Sequence, residues 1–493
     1  MTTLMVQGTT SDAGKTTVVA ALCRWLARQG ISVAPFKPQN MALNSAPTCD
    51  GGEIARSTAL QALACGIEPH SDMNPVLLKP HTDCGAEVLI RGRHYAQLNA
   101  VDYHAYKAHA MQSVMAAWQA LSERYQVIIA EGAGSPAEIN LRQHDIANMG
   151  FAEAADCPVL LVGDIDRGGV LAQLVGTLAL LSPSEQARTQ GLLINRFRGD
   201  LALLQPGLDW LSQHTHKPVI GVLPYLTNLL LDAEDGLASS QHSAKATFKL
   251  LIPLVPRMTQ HNEFDPLRLH PALDVCFSHH PAEIPAADLI ILPGSQNPIA
   301  TLAWLKQHGW LTAIQRHLRY GGKLLALGSS FPLLSQSLSY GAASQPQTEL
   351  GLGLVDLHTQ LASISSLESV QGNLCLPLHA GLACSGYRLV QGSLQGSALD
   401  APLLQLNGQA EGVLSLDQQV AGCAVHGLFE QPQVAEALLD WAGLSQPGAA
   451  VDYQQHRLKE LDRLADLIDQ HLDTQWLYQV LKLNPNPQGL LHV

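Results

Sequence analysis

The first residues able to do chemistry form one run, Gly8-Thr9-Thr10-Ser11-Asp12-Ala13-Gly14-Lys15-Thr16-Thr17. A short apolar stretch precedes it and a helix-period segment follows it. In that setting, backbone N–H groups and the helix N-terminus can cradle a polyphosphate while Lys15 neutralises its charge and Thr16 reaches a bound Mg²⁺. Five residues separate the two glycines where four are usual, and Asp12 lies inside the loop, yet the GKTT ending keeps the pattern specific. Asp12, Ala13, Gly14, Lys15, Thr16 and Thr17 are the expected ATP-binding residues.

Further polar residues sit at the ends of apolar runs. Glu131 follows Val127–Ala130 and opens EGAGSPAEIN, so it can hold the nucleotide's Mg²⁺ together with Thr16. The small residues after it allow close backbone approach to a ligand. Lys37, in FKPQN, follows Val33–Phe36, where it can offset charge on an acyl phosphate. Asn195, in INRFRGD, follows another run, and its amide can read adenine or simply form a turn.

Elements of one kind must present these residues. Leu4–Val6, Val33–Phe36, Val127–Ala130, Val159–Val162, Leu192–Asn195 and Val219–Leu223 are short apolar runs bounded by Gly, Pro or Asp, and Thr16–Arg28 has helical periodicity. This is the rhythm of buried parallel strands with crossover helices, a doubly wound α/β domain whose ligands lie beyond the C-terminal strand ends. Apolar periodicity lapses over 232–245, which reads as a linker. Strand-like runs resume at Lys249–Pro253, Leu273–Phe277, Leu289–Pro293 and Lys323–Leu327, with a helix near Ile299–His308, giving a second α/β unit. Past Ala450, Leu458, Leu461, Leu464, Ile468 and Leu472 mark one face of a docking helix whose other face carries Glu and Asp. The expected divisions are 1–232, 248–445 and a helical tail at 450–493.

Composition narrows the partners. A chain of 493 residues with 46% hydrophobic and 14% charged residues can bury two or three full cores and is too apolar for a disordered protein. The 29 Lys and Arg stand against 42 Asp and Glu, a net charge of −13, without a long basic run, which speaks against nucleic acid as a partner. No stretch approaches the length of a membrane span, and MTTLMVQGTT lacks a positive segment followed by an apolar one, so a cytoplasmic protein is expected. The nine cysteines stand singly with no CxxC pair and read as reduced core residues.

Taken together, GTTSDAGKTT (8–17), FKPQNMALNS (36–45), GGEIAR (51–56), DMNPVLLKP (72–80), EGAGSPAEINL (131–141), DIANMG (145–150), GDIDRGG (163–169), INRFRGD (194–200), GVLPY (221–225), FDPLR (264–268), ILPGSQNPIATLAWL (291–305) and HGLFE (426–430) resemble the cobyric acid synthase family over nearly the whole chain. These are cobalamin-pathway ligases. The resemblance implies a P-loop NTPase-like domain similar to dethiobiotin synthetase, followed by a flavodoxin-like class I glutamine amidotransferase domain. It also implies ATP- and Mg²⁺-dependent amidation of the b, d, e and g carboxylates of adenosylcobyrinic acid a,c-diamide, with Asn40, Asp145, Asp164 and Arg167 near the corrinoid and nucleotide crevice. The sister a,c-diamide synthases share the layout, but EGAGSPAEINL and FKPQNMALNS favour the former. Partitioning-type nucleotide switches usually carry an extra early loop lysine, whereas this loop begins Gly8-Thr9-Thr10.

The second domain departs from the resemblance where the family places its nucleophile. The family's elbow reads Gly-Ile-Cys-Gly-Gly, its cysteine attacking the glutamine amide while a distant histidine moves the proton. Here the aligned stretch is Ala326-Leu327-Gly328-Ser329-Ser330, with Gly328 in the cysteine's place. Gln296, Pro298, Pro332 and Gly386-Tyr387-Arg388-Leu389-Val390 depart as well, leaving His426 of HGLFE as the recognisable remnant. A histidine without its thiol releases no ammonia from glutamine. The expectation is a synthetase using free ammonia or ammonia from a separate glutaminase, with Ser329 a poor substitute one position off the elbow.

Overall fold

The computed structural model describes the chain except residues 81–84, 100–102, 144, 228, 233–245, 282–285, 342–344, 445–449 and 485–493. Of the expected linker, only Asp232 is among the described residues. The 445 boundary, Cys84 and the end of the tail also lie outside them. The chain divides into two compact units, Met1–Glu234 with Arg457–Val493, and Asp235–His456.

The first unit follows the expected rhythm. Strand β1 (Thr2–Gly8) leads through the glycine loop into α1 (Lys15–Arg28), followed by β2 (Val33–Phe36), the short β3 (Gln39–Met41) and α2 (Arg56–Cys65). Then come β4 (Val76–Pro80), β5 (Gly85–Ile90), β6 (Arg93–Asn99), α3 (Tyr103–Arg124), β7 (Val127–Glu131), α4 (Met149–Ala154), β8 (Val159–Asp164), α5 (Val170–Leu180), β9 (Thr189–Phe197), α6 (Leu201–Thr215) and β10 (Val219–Pro224). The central sheet has the order β10-β9-β8-β1-β7-β2 and is parallel throughout. Its middle strands are buried on both faces, which is why β7 (VIIAE) and β8 (VLLVGD) carry unbroken apolar runs.

Strands β3-β4-β5-β6 form a separate small sheet that the apolar-run reading does not foresee. Its β4-β5-β6 part is antiparallel, and β6 (RHYAQLN) alternates rather than running apolar.

The last two described helices are α10 (Tyr453–His471) and α11 (Thr474–Val480). Leu461, Leu464, Ile468 and Leu472 share a core with Val18, Val19, Leu22 and Leu26 of α1. Acids of the helix's other face bond α1: Arg24 meets Asp462 at 2.7 Å, Arg28 meets Asp466 at 2.7 Å, and Trp25 Nε1 donates to Asp469 at 2.6 Å. Nor is Asp232 a solvated linker acid. It is buried between Arg56 and Arg457, each at 3.0 Å.

In the second unit, β11 (Phe248–Pro253), β12 (Leu273–Ser278), β13 (Leu289–Leu292), α7 (Pro298–Gln307), α8 (Trp310–Arg319) and β14 (Lys323–Leu327) build another parallel sheet with the later strands β19 (Val413–Leu414) and β20 (Val420–Cys423), in the order β12-β11-β13-β14-β20-β19. Only β19 runs antiparallel in it. Between these lie β15 (Ser337–Tyr340), β16 (Gln347–Leu350), β17 (His358–Leu374) and β18 (Ala383–Gln395), and after β20 come β21 (Val425–His426) and α9 (Pro432–Trp441). A long hairpin of β17 and β18 dominates a second sheet, ordered β16-β15-β17-β18-β21. It is the largest feature the sequence reading misses, because β17 (HTQLASISSLESVQGNL) is largely polar and lacks the continuous apolar run of a buried strand.

Both units are thus α/β domains with parallel sheets, accompanied by C-terminal helices. Among the described residues no helix is long and apolar enough to cross a membrane. Cys23, Cys65, Cys157, Cys384 and Cys423 are buried thiols as expected, whereas Cys49 is exposed.

Candidate functional site

Strands β1, β7 and β2 are neighbours, with Val6 paired to Glu131 and Ala130 to Phe36, so the glycine loop, Glu131 and Lys37 all leave the same sheet edge. The loop closes on Gly14, whose φ of 88° only glycine adopts readily, and a Cβ there would lie 2.1 Å from Asn195 Nδ2. Lys15 Nζ donates to the carbonyls of Thr10 and Gly134, each at 3.0 Å, which draws the loop after β7 over the phosphate loop.

Glu131 is the centre of the cluster and wholly buried. Its Oε1 accepts from Thr16 Oγ1 at 2.7 Å and from Lys37 Nζ at 2.9 Å, while Gln61 Nε2 of α2 donates to Oε2. Lys37 is only 3% exposed, so this is a buried ion pair whose charges compensate each other. The Thr16 hydroxyl and the Glu131 carboxylate are hard oxygen donors brought together at the phosphate loop, the ligand type that Mg²⁺ prefers. Thr16 and Glu131 therefore fit as the residues that would hold a Mg²⁺ ion.

The other expected residues have more local partners. Asn195 Nδ2 donates to Ala13 O at 3.0 Å and its Oδ1 accepts from Arg196 N–H, so its amide braces the phosphate loop. Asp12, at φ 58°, and Arg167 are exposed and face each other at 3.4 Å. Asp164 is buried, accepts from Asp166 N–H and pairs with Arg196 at 2.8 Å. Asp145 accepts from the backbone N–H groups of Ala147, Asn148 and Gly150 at 2.8–3.2 Å, fixing the turn into α4. Asn40 is buried with its amide on Ser57 Oγ at 3.3 Å, and Thr17 is half-buried on α1. Sequence reasoning misses Gln61 and Asn148, whose Nδ2 holds Ala133 O at 2.6 Å. Nothing in RSTALQALAC distinguishes Gln61 from the other residues of a helix.

The second cluster lies in the other unit. Gly328 follows β14 at φ 55°, where a nucleophile elbow turns, and His426 Nε2 stands over it. His426 is wholly buried, with Nδ1 3.0 Å from Glu263 and its ring 5.5 Å from that of Tyr387. Glu263 lies 163 residues from its partner, so no local spacing announces the pair. Ser329 Oγ is engaged with Ser295, accepting from its N–H at 2.6 Å and donating to its carbonyl at 2.7 Å. Ser330 Oγ donates to Pro293 O. Cys423, just before β21, donates to Val425 O, and burial pushes its thiol well above the ordinary range, which keeps it from being a thiolate.

A Cβ on Gly328 would fall 2.0 Å from His426 Nε2. Gly328→Cys is accordingly expected to create no glutaminase activity and to lower the melting temperature, with a strain of about 1–3 kcal/mol. Glutamine hydrolysis and a thermal melt check it, and a variant that hydrolyses glutamine at unchanged stability contradicts it.

A phosphate-cradling P-loop domain followed by an elbow-and-histidine α/β domain defines a class, nucleotide-binding chains joined to a glutamine-amidotransferase-type domain. Residues 4–238 match the CobQ/CobB/MinD/ParA nucleotide binding domain, and residues 249–434 match the CobB/CobQ-like glutamine amidotransferase domain. The chain thus matches in succession a CobQ/CobB-type nucleotide binding domain and a CobB/CobQ-like glutamine amidotransferase domain. Among solved structures it is similar to a glutamine amidotransferase, with 15% identity and a TM-score of 0.31 over 40% of this chain and 99% of that one. It is similar also to PurLQS from Thermotoga maritima, with 13% identity and a TM-score of 0.29 over 43% and 97%. A third is the signal recognition particle receptor FtsY from Elizabethkingia anophelis in complex with GDP, with 16% identity and a TM-score of 0.28 over 45% and 56%.

Proposed function

We propose that this chain is an ATP-dependent carbon–nitrogen ligase that amidates corrinoid carboxylates, the cobyric acid synthase reaction, and that it takes ammonia rather than glutamine as its nitrogen source. The observation carrying this reading is the contrast between the clusters. Lys15, Thr16, Lys37 and Glu131 are assembled around a phosphate loop, while Gly328 offers His426 no nucleophile.

A carboxylate resists amines until one oxygen becomes a leaving group. Its oxygen attacks the γ-phosphorus of ATP, the bond to ADP breaks, and an acyl phosphate forms. Ammonia then adds to the acyl carbon, phosphate departs with the carbon–oxygen bond, and a proton is lost to leave the amide. Little covalent help is needed from the protein, so its work is positioning and charge.

The glycine loop holds the polyphosphate through backbone N–H groups, and Lys15 neutralises it. Thr16 and Glu131 would hold a Mg²⁺ ion, which would supply charge to offset the phosphoryl oxygens. Lys37 is the cation for the acyl phosphate. Exposed Met41 and exposed Ile139 and Leu141, on the segments after the adjacent strands β2 and β7, suit a large macrocycle that is apolar apart from its acid arms. Asn40, Asp145, Asp164 and Arg167 support the walls of this crevice.

The test supplies purified protein with ATP, adenosylcobyrinic acid a,c-diamide and either ammonium or glutamine. Corrinoid-dependent ATP hydrolysis with product masses showing amide formation from ammonium alone supports the proposal. ATP turnover indifferent to corrinoid, or glutamine-driven amidation, overturns it.

A further inference from the structure

Gln61 takes no part in the chemistry above, yet it is the only uncharged side chain on Glu131 Oε2 among the hydrogen bonds of the described residues. It lies on α2, whose Leu60, Ala64 and Cys65 share a core with Val18, Val19 and Leu22 of α1, so its backbone is anchored to the phosphate-loop helix. A carboxylate only accepts, so the amide nitrogen must be the end facing Glu131. That nitrogen also reaches Thr16 O at 3.4 Å. At the other end Oε1 is fully buried and has no hydrogen-bond partner among the described residues. An amide kept for packing alone would be satisfied at both ends or replaced by Leu or Met.

The geometry points to Gln61 as a positioning residue that fixes the plane of the Glu131 carboxylate, so that Oε1 faces Thr16 Oγ1 and Lys37 Nζ. This rests on the reading of Thr16 and Glu131 as the metal-holding pair. A neutral donor suits the task because it satisfies Oε2 without cancelling the negative charge a cation needs, which Lys37 already balances in part. Without Gln61, Oε2 is a buried acceptor with nothing to bond, and the carboxylate turns to find a partner.

The experiment measures Mn²⁺, as an EPR-visible probe, binding to the full chain with the non-hydrolysable analogue AMP-PNP. Gln61→Met, similar in volume, is expected to weaken Mn²⁺ binding by about 10- to 100-fold while metal-free ADP binds within about twofold of the wild type. Wild-type Mn²⁺ affinity in Gln61→Met, or a loss of metal-free ADP binding equal to the loss of Mn²⁺ binding, overturns the role of Gln61 alone. Failure of the wild type to take up Mn²⁺ with AMP-PNP overturns both this role and the metal pair on which it rests.

Discussion

Lys15→Ala is expected to lower ATP-dependent amidation by about a thousandfold or more, while leaving the fold intact. Lys15 opens α1 with its ammonium held by the carbonyls of Thr10 and Gly134 and is 7% exposed. Its ammonium stands at the start of α1 beside the glycine loop, where it can neutralise a polyphosphate. The alanine variant loses those two hydrogen bonds, about 1 kcal/mol each, which a thermal melt registers as a modest shift. Its main loss is the charge that stabilises the leaving diphosphate. Steady-state kinetics with ammonium as nitrogen donor measure the effect, and a drop of less than about tenfold would mean that this loop does not carry the phosphoryl transfer.

The second large effect is on stability instead of turnover. His426→Ala leaves Glu263 buried opposite an empty space, and a buried acceptor that loses its hydrogen-bond donor costs about 1–3 kcal/mol, more where it is charged. A clear fall in the melting temperature is expected, with ammonium-driven amidation per folded molecule nearly unchanged. Adding Glu263→Gln should recover part of the stability, since a neutral amide tolerates burial better than an unpaired carboxylate. If ammonium-driven turnover collapses in a His426→Ala protein that is still folded at the assay temperature, the second unit takes part in the chemistry and the division of labour proposed here is wrong.

Much of the first unit was legible because its signals are local. Glycine spacing, a strand before it and a helix after it lie within Thr2–Arg28, and the apolar runs of β7 and β8 are unbroken because both faces of those strands are covered. The β17 strand escaped because it is largely polar, and the small sheet of β3 to β6 escaped although β4 (VLLKP) is apolar, since its partners β3 and β6 carry no apolar run. Asn195 illustrates a different limit. Its place at the end of β9 was foreseeable, but whether its amide faced a ligand or Ala13 O depended on a contact 182 residues away in sequence.

Sequence alone determined residue type and short spacing: a glycine loop ending in Lys15 and Thr16, Lys37 and Glu131 at strand ends, and Gly328 directly after β14. Tertiary structure decided which of these groups meet. It placed Gln61, Thr16 and Lys37 on one carboxylate, paired His426 with Glu263, and turned Ser329 away toward Ser295. The reason is physical: a buried polar atom must find a partner wherever folding brings one within hydrogen-bond reach, and separation along the chain carries no record of that distance.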